Sequence, residues 1–289
     1  MTKIKEKNSF YPHFISLCAM VCLGQAQLLG FAGKPILSFF IAFLVYLTAS
    51  LILFLLSGIF VKKTPPKSAA VFWLACAVYS LFVFKDTFTV FLKFAETVVL
   101  KNEISLVLLF AVSLLSLLML KKEGFLKLSL AFFVLSVVIV FNLVILLFGK
   151  YDFKEIKHLF TGSQNLIQNV WLFLKEAFLP LLILIPYQVT IFKKLRPKVY
   201  FIGGITGAVI LICIYLVPIL VFGSGFSSRL AFPFSDAVST VSVGRLYSRL
   251  DGFYYFFVFS STLIKSMVAL FTAGMSICNI KKLYEQNSE

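Results

Sequence analysis

Apolar residues gather along this chain in long runs separated by short polar punctuation. Eight runs can be drawn: 12–32, 35–60, 69–99, 104–120, 125–148, 170–192, 199–222 and 252–278. A helix needs ~20 predominantly apolar residues to cross the hydrocarbon of a bilayer. The pattern therefore predicts an all-α polytopic membrane protein with about eight transmembrane helices. Residues 1–282 form a single integral membrane domain, and 283–289 a short cytoplasmic tail. The linkers carry stop signals. Lys62-Lys63-Thr64-Pro65-Pro66-Lys67 parts the second and third runs, Lys121-Lys122-Glu123-Gly124 the fourth and fifth, and Lys193-Lys194-Leu195-Arg196-Pro197-Lys198 the sixth and seventh. The third run is too long for one plain crossing. Its end, Lys85 to Lys101, is amphipathic and is expected to run along the interface or into a cavity.

Composition supports the pattern. Of the 289 residues, 60% are hydrophobic and 13% charged, against ~45–50% and ~25% in an ordinary soluble domain. Mean hydropathy is +0.99. Phe contributes 35 residues, and there are only 2 His and 12 Asp plus Glu. These proportions exclude a soluble enzyme, a disordered tail and a secreted disulfide scaffold.

The net charge of +15 would suit nucleic acid if it formed one basic stripe. It does not: Lys and Arg stand at the edges of apolar runs, where they orient spans. No nucleic-acid partner is expected, and the lipid bilayer is. One side collects Lys3, Lys5 and Lys7, the linker clusters just named with Lys127, and Lys281 with Lys282. That is fifteen of the 27 basic residues, against eight on the other side. The positive-inside rule then puts both termini in the cytoplasm of a multi-pass cell-membrane protein, which requires an even number of spans. The basic N-terminus before an apolar run also has the look of a signal peptide, but the next span follows at once, so cleavage is not expected.

Cys18, Cys22, Cys76, Cys213 and Cys278 all lie in or at the ends of apolar runs with no CxxC pair. Such thiols behave as small hydrophobes, so neither a disulfide nor a metal site is expected. No P-loop, zinc spacing or nucleophilic triad is visible. His13 and His158 both fall near span edges. The expectation is a protein without cofactor or metal, and not an enzyme. Two longer connections, Lys150 to Asn169 and Gly223 to Asp251, would lie outside. Connections of this length are often functional; surface connectors with short interfacial helices fit equally well. In the second, a short helix ending at Arg249 and Asp251 is expected, with Ser235, Val238, Val241 and Leu246 as its uneven apolar pattern.

Order and spacing bring out a resemblance. Tyr151-Asp152-Phe153-Lys154-Glu155-Ile156 follows an apolar span. After a polar turn comes a helix with Leu179-Pro180 and Ile185-Pro186-Tyr187. Further on stand Phe232-Pro233-Phe234, the run Val243-Gly244-Arg245-Leu246-Tyr247-Ser248-Arg249-Leu250-Asp251, and an apolar helix with Ile264-Lys265-Ser266. This resembles the spore germination permease family, the integral-membrane B subunit of nutrient germinant receptors, within the amino acid–polyamine–organocation superfamily. The resemblance implies a ten-helix inverted-repeat transporter-like fold, truncated here, because no apolar run follows Lys282-Leu283-Tyr284. It implies a receptor subunit that senses a small-molecule ligand, an amino acid, and works with other germinant receptor subunits in the inner spore membrane. The departures are specific. The first helix carries Gly24-Gln25-Ala26-Gln27-Leu28-Leu29-Gly30 in place of the family's break and Pro. The third carries Lys101-Asn102-Glu103 in place of Thr-Pro.

The candidate ligand-binding residues are Gly24, Gln25, Gln27, Pro186, Tyr187, Gln188, Ser261 and Lys265. Gly is costly inside a helix, and glutamines in lipid need partners, so Gly24, Gln25 and Gln27 mark either an interrupted helix or a helix–helix packing face. Pro180 and Pro186 each free a carbonyl one turn earlier; the segment is either kinked for structure or paired with the first helix around a ligand, as the resemblance implies. Lys265 sits near the middle of the last run with Ser261 one turn before it. A charge there costs roughly 2.5–3.5 kcal/mol on insertion scales. It faces a cavity or an acceptor, or else snorkels to an interface. Asp86 is expected to pair with a Lys, and Lys93 with Glu96, unless the stripe is merely interfacial. Three functions compete: a ligand-sensing subunit, a secondary transporter of amino acids or organic cations, and a non-binding structural subunit.

Overall fold

The computed structural model describes residues 2–24, 34–63, 66–99, 103–119, 122–160, 165–192, 197–241 and 251–285. Among them there is no strand. The α-helices are α1 (Thr2–Leu23), α2 (Ile36–Lys63), α3 (Pro66–Phe94), α4 (Glu103–Leu118), α5 (Lys122–Leu147), α6 (Leu166–Phe173), α7 (Leu184–Phe192), α8 (Pro197–Phe222), α9 (Ser224–Ser227), α10 (Pro233–Ser239) and α11 (Asp251–Glu285). Among the described residues, five helical stretches are long and apolar enough to cross a membrane: Ala69–Thr97, Gly124–Lys150, Leu166–Gln188, Pro197–Phe222 and Asp251–Glu285. Tyr11–Leu23 and Ile36–Ile52 are shorter apolar helices. This is an all-α membrane protein.

Burial divides the helices into inner and outer. α11 is the inner post: it packs against α3, α1, α5, α7 and α4, and its middle from Ser260 to Ala269 is buried on every side. α3 and α5 bury one face and expose the other. Val71, Leu74, Val78 and Phe82 of α3 and Val134, Val138, Phe141 and Ile145 of α5 stand exposed. Apolar side chains exposed in contiguous bands are what a lipid-facing helix carries. α1 lies against α8 and α5 as well as α11. Its closeness to α8 depends on two glycines. A Cβ on Gly203 would stand 2.4 Å from the Cβ of Cys18 and 2.8 Å from the Ile15 carbonyl oxygen, and one on Gly207 would stand 2.7 Å from the Cβ of Cys22.

Several boundaries differ from the sequence expectation. α1 begins about ten residues before the apolar run, because its Lys-rich lead is a good helix former whether or not it is in lipid. α1 ends at Leu23, and the Gly24 N–H closes the last turn on Met20 at 2.9 Å; the rest of the apolar run, to residue 32, lies outside the described residues. The third run does not peel away at Lys85. It stays one helix to Phe94 and continues in a π turn, Ala95–Val99. Lys93 and Glu96 are both exposed and no ion pair joins them; the register change at Ala95 falls between them.

The sixth run is not a kinked α-helix but four pieces in series. After α6 come a π turn, Leu174–Phe178, a 3-10 turn, Leu179–Ile183, and then α7. Pro180 causes the change of pitch. It has no N–H to return to residue 176, so the α pattern cannot pass through it.

The connections are tied down. Phe153–Phe160 is a 3-10 helix. Asp152 N–H donates to the Leu220 carbonyl at 2.8 Å, Ser224 N–H donates to Glu155 at 3.1 Å, the Tyr151 hydroxyl donates to Val144, and the Lys150 ammonium donates to the Thr240 carbonyl. The second connection holds α9 and α10. Of the stretch where a helix ending at Arg249 and Asp251 is expected, residues 242–250 lie outside the described residues; α10 stops at Ser239, and Asp251 opens α11. Val241 is buried just past α10, while Leu246 and Arg249 lie outside the described residues.

Candidate functional site

Lys265 is fully buried. Its stem lies over Gly24, where an added Cβ would come within 2.4 Å of the lysine Cδ and 3.0 Å of its Cβ. Only glycine lets the end of α1 approach α11 so closely. The lysine stem, and not its ammonium, is what meets the first helix at Gly24; Gln25 and Gln27 lie outside the described residues.

The ammonium donates to the backbone carbonyl of Glu176 at 3.3 Å. That acceptor is available for a local reason. In an α-helix the Glu176 carbonyl would receive the N–H of residue 180, and residue 180 is proline. A second bond repeats the arrangement two turns on: the Thr272 hydroxyl donates to the Ile183 carbonyl at 3.3 Å. Both pairs are 89 residues apart. The broken helix and α11 therefore run side by side in the same direction, with α11 side chains donating to broken-helix carbonyls two turns apart.

The Glu176 side chain adds charge. Lys175 Nζ stands 3.1 Å from Glu176 Oε1 and 4.0 Å from Asp86 Oδ1 on α3. The side chains of Lys175, Asp86 and Glu176 are 40%, 30% and 6% exposed. The cluster thus grades from a partly open end at Lys175 and Asp86 to a closed end at Glu176 and Lys265. Asp86 does meet a lysine, as expected, but at ion-pair range and not at hydrogen-bonding distance.

The other sequence candidates are spread along the same elements. Ser261 is buried one turn before Lys265, and its hydroxyl bonds to the Phe257 and Val258 carbonyls of its own helix at 2.9 and 3.1 Å. Tyr187 and Gln188 are buried on α7. Pro186 lines an apolar groove of about 330 Å³ with Leu179, Leu182, Ile185 and, from α3, Phe72, Ala75, Cys76 and Tyr79. On the broken helix the residue that reaches Lys265 is Glu176, ten residues before Pro186. Sequence reasoning passed over Glu176. The usable signal was its place four residues before Pro180 in the middle of an apolar run.

Fold and site together define a helical membrane protein with a buried lysine where a helix end and a helix break meet. Comparison of the chain with models of known protein families, with curated proteins and with solved structures finds no match.

Proposed function

We propose that this chain is the membrane subunit of a nutrient germinant receptor of the spore germination permease type. It senses a small ligand, an amino acid, at the junction of Gly24, Glu176 and Lys265, and passes a conformational change to other receptor subunits. One observation carries the proposal: a fully buried ammonium, costly in a span, sits where α1 stops and the broken helix changes pitch. Helix interruptions at one depth, facing each other, are how membrane proteins of transporter architecture build ligand sites. Adding α1, α2 and α4 to the five longer stretches gives eight spans. With the basic residues inside, both termini are cytoplasmic and the chain sits in the cell membrane, the inner spore membrane where the host sporulates.

A thermal-shift screen of the purified protein against amino acids, sugars and nucleosides tests the proposal. Stabilisation by an amino acid supports it. No stabilisation, with assembly onto partner subunits retained, leaves a structural subunit instead. The same pair of facing interruptions also favours a second function, secondary transport of amino acids or organic cations. Uptake of a labelled amino acid into proteoliposomes would establish that; binding without uptake would favour the receptor. For topology, Lys3→Cys and Gln286→Cys in a background lacking the exposed Cys213 and Cys278 should resist impermeant reagents added outside. Labelling of either from outside would remove the topology with both termini cytoplasmic.

A further inference from the structure

The geometry points to a division of labour among the four charges: Lys265 takes the carboxylate of an amino acid, Glu176 takes its ammonium group, and Lys175 is displaced from Glu176 onto Asp86. This rests on the amino-acid function proposed above and assigns roles that it leaves open.

The case begins with Lys265. An ammonium has three N–H donors. The described residues give this one a single hydrogen bond, to a neutral carbonyl at 3.3 Å. A fully buried cation to which the described residues offer one neutral acceptor is suited to receive an anion. Glu176 differs: its carboxylate is nearly buried and already in contact with a cation, Lys175, at 3.1 Å. That cation, however, is the half-exposed member of the cluster and has a second acid within 4.0 Å, Asp86. A movement of about 1 Å would bring Lys175 into charge-assisted hydrogen-bonding range of Asp86.

Charge balance then selects the ligand class. Two lysines and two acids make the cluster neutral. A zwitterion leaves it neutral and provides each charge with an opposite. A simple carboxylate or a simple amine would bring one uncompensated charge into a buried site, which is strongly unfavourable. Displacement also has a mechanical result. Once Lys175 closes on Asp86, the π turn is tied to α3, so occupancy at Lys265 is felt on an outer helix. This is a differential contact between two states, the minimum requirement for a ligand to shift a conformational equilibrium.

The test uses the detergent-solubilised full chain and thermal shift. The probes are the common L-amino acids and, for each that stabilises, its amide and the matching acid without the amine. The expected result is that both analogues bind at least about tenfold more weakly than the amino acid. They are tested on the unaltered protein, so the result does not depend on a variant folding. Glu176→Gln should weaken binding by a similar factor. Lys175→Met should strengthen it about tenfold, because the competing cation is gone; a purely structural lysine would give the opposite sign. An amino acid that binds as well as its amide, or weaker binding by the Lys175 variant, overturns the division of labour while leaving an amino-acid sensor standing. A response to sugars or nucleosides alone, or to nothing, overturns both.

Discussion

Two close helix contacts in this protein are made in opposite ways. Where α1 meets α8, Gly203 and Gly207 let the backbones approach until Cys18, Cys22 and the Ile15 carbonyl fill the space. Where α11 meets the broken helix, a lysine and a threonine reach across to carbonyls at Glu176 and Ile183. Both contacts lie in the interior of a very apolar chain. The first is dispersion and shape, the ordinary means of packing helices whose surroundings are as apolar as their side chains. The second brings a charge into a place where charge is unfavourable. Packing would be easier with a leucine at position 265. The difference separates what holds the helices together from what the protein uses.

The largest effect should come from the α1–α8 contact. Gly203→Val puts a branched side chain where even a Cβ would meet a backbone oxygen at 2.8 Å. Backbone cannot swing aside as a side chain can. The cost should reach or pass the upper end of the roughly 1–3 kcal/mol typical of overpacking. Size-exclusion chromatography of the solubilised protein should show aggregate in place of a single peak. A normal peak and melting temperature would mean that the two helices are not this close.

Lys265→Met should behave in the reverse way. It keeps the stem over Gly24 and removes the charge, leaving one carbonyl without its donor, which costs about 1–3 kcal/mol, against the relief of a buried ammonium. The melting temperature should hold or rise while amino-acid stabilisation falls by at least about tenfold. Lys265→Arg should rescue poorly, because a planar fork does not copy a compact ammonium. Full binding by the Met variant would end the assignment of Lys265 to the site.

Gly24→Ala should fall between. The new methyl would stand 2.4 Å from the Cδ of Lys265, but that neighbour is a flexible stem, so about 1–2 kcal/mol is expected. The penalty should largely vanish in a Lys265→Ala background, a coupling within the roughly 0.5–3 kcal/mol seen for residues in contact. An unchanged penalty in that background would locate the strain in the turn at Gly24 itself and not in the lysine.

Much of this was legible before any coordinates. Run length and linker charge marked every long helix, because lipid demands a continuous apolar surface and forbids unsatisfied backbone. Lys265 stood out for the same reason. What the sequence hid was pitch and partner. Pro180 and Pro186 announce a break equally well, yet one frees the carbonyl that Lys265 takes and the other lines an apolar groove. Glu176 was hidden because adjacent residues point about 100° apart on a helix, and nothing in Lys175-Glu176 says which of the two turns inward. The end of α1 was hidden too. A Gly amid apolar residues is compatible with a packing face or a stop, and only the approach of Lys265 decides it.

The smallest effect should come from Thr272. Its hydroxyl serves the carbonyl two turns along from Glu176, in the same register, and carries no charge. Thr272→Val keeps the shape and removes the donor, leaving Ile183 with one buried acceptor less well served. A bond at 3.3 Å is on the long side, so about 0.5–1.5 kcal/mol of stability should be lost. Amino-acid affinity should not change by more than about twofold, since this donor is uncharged and stands two turns away from the lysine. The variant thus divides the α11 contact into a structural end and a binding end. If Thr272→Val reduced affinity as strongly as Lys265→Met, the whole length of the broken helix would be acting as one unit. Binding would then report on the integrity of the helix contact and not on the lysine. If only the lysine variant loses affinity, the α11 contact holds the helices together at Thr272 and binds at Lys265.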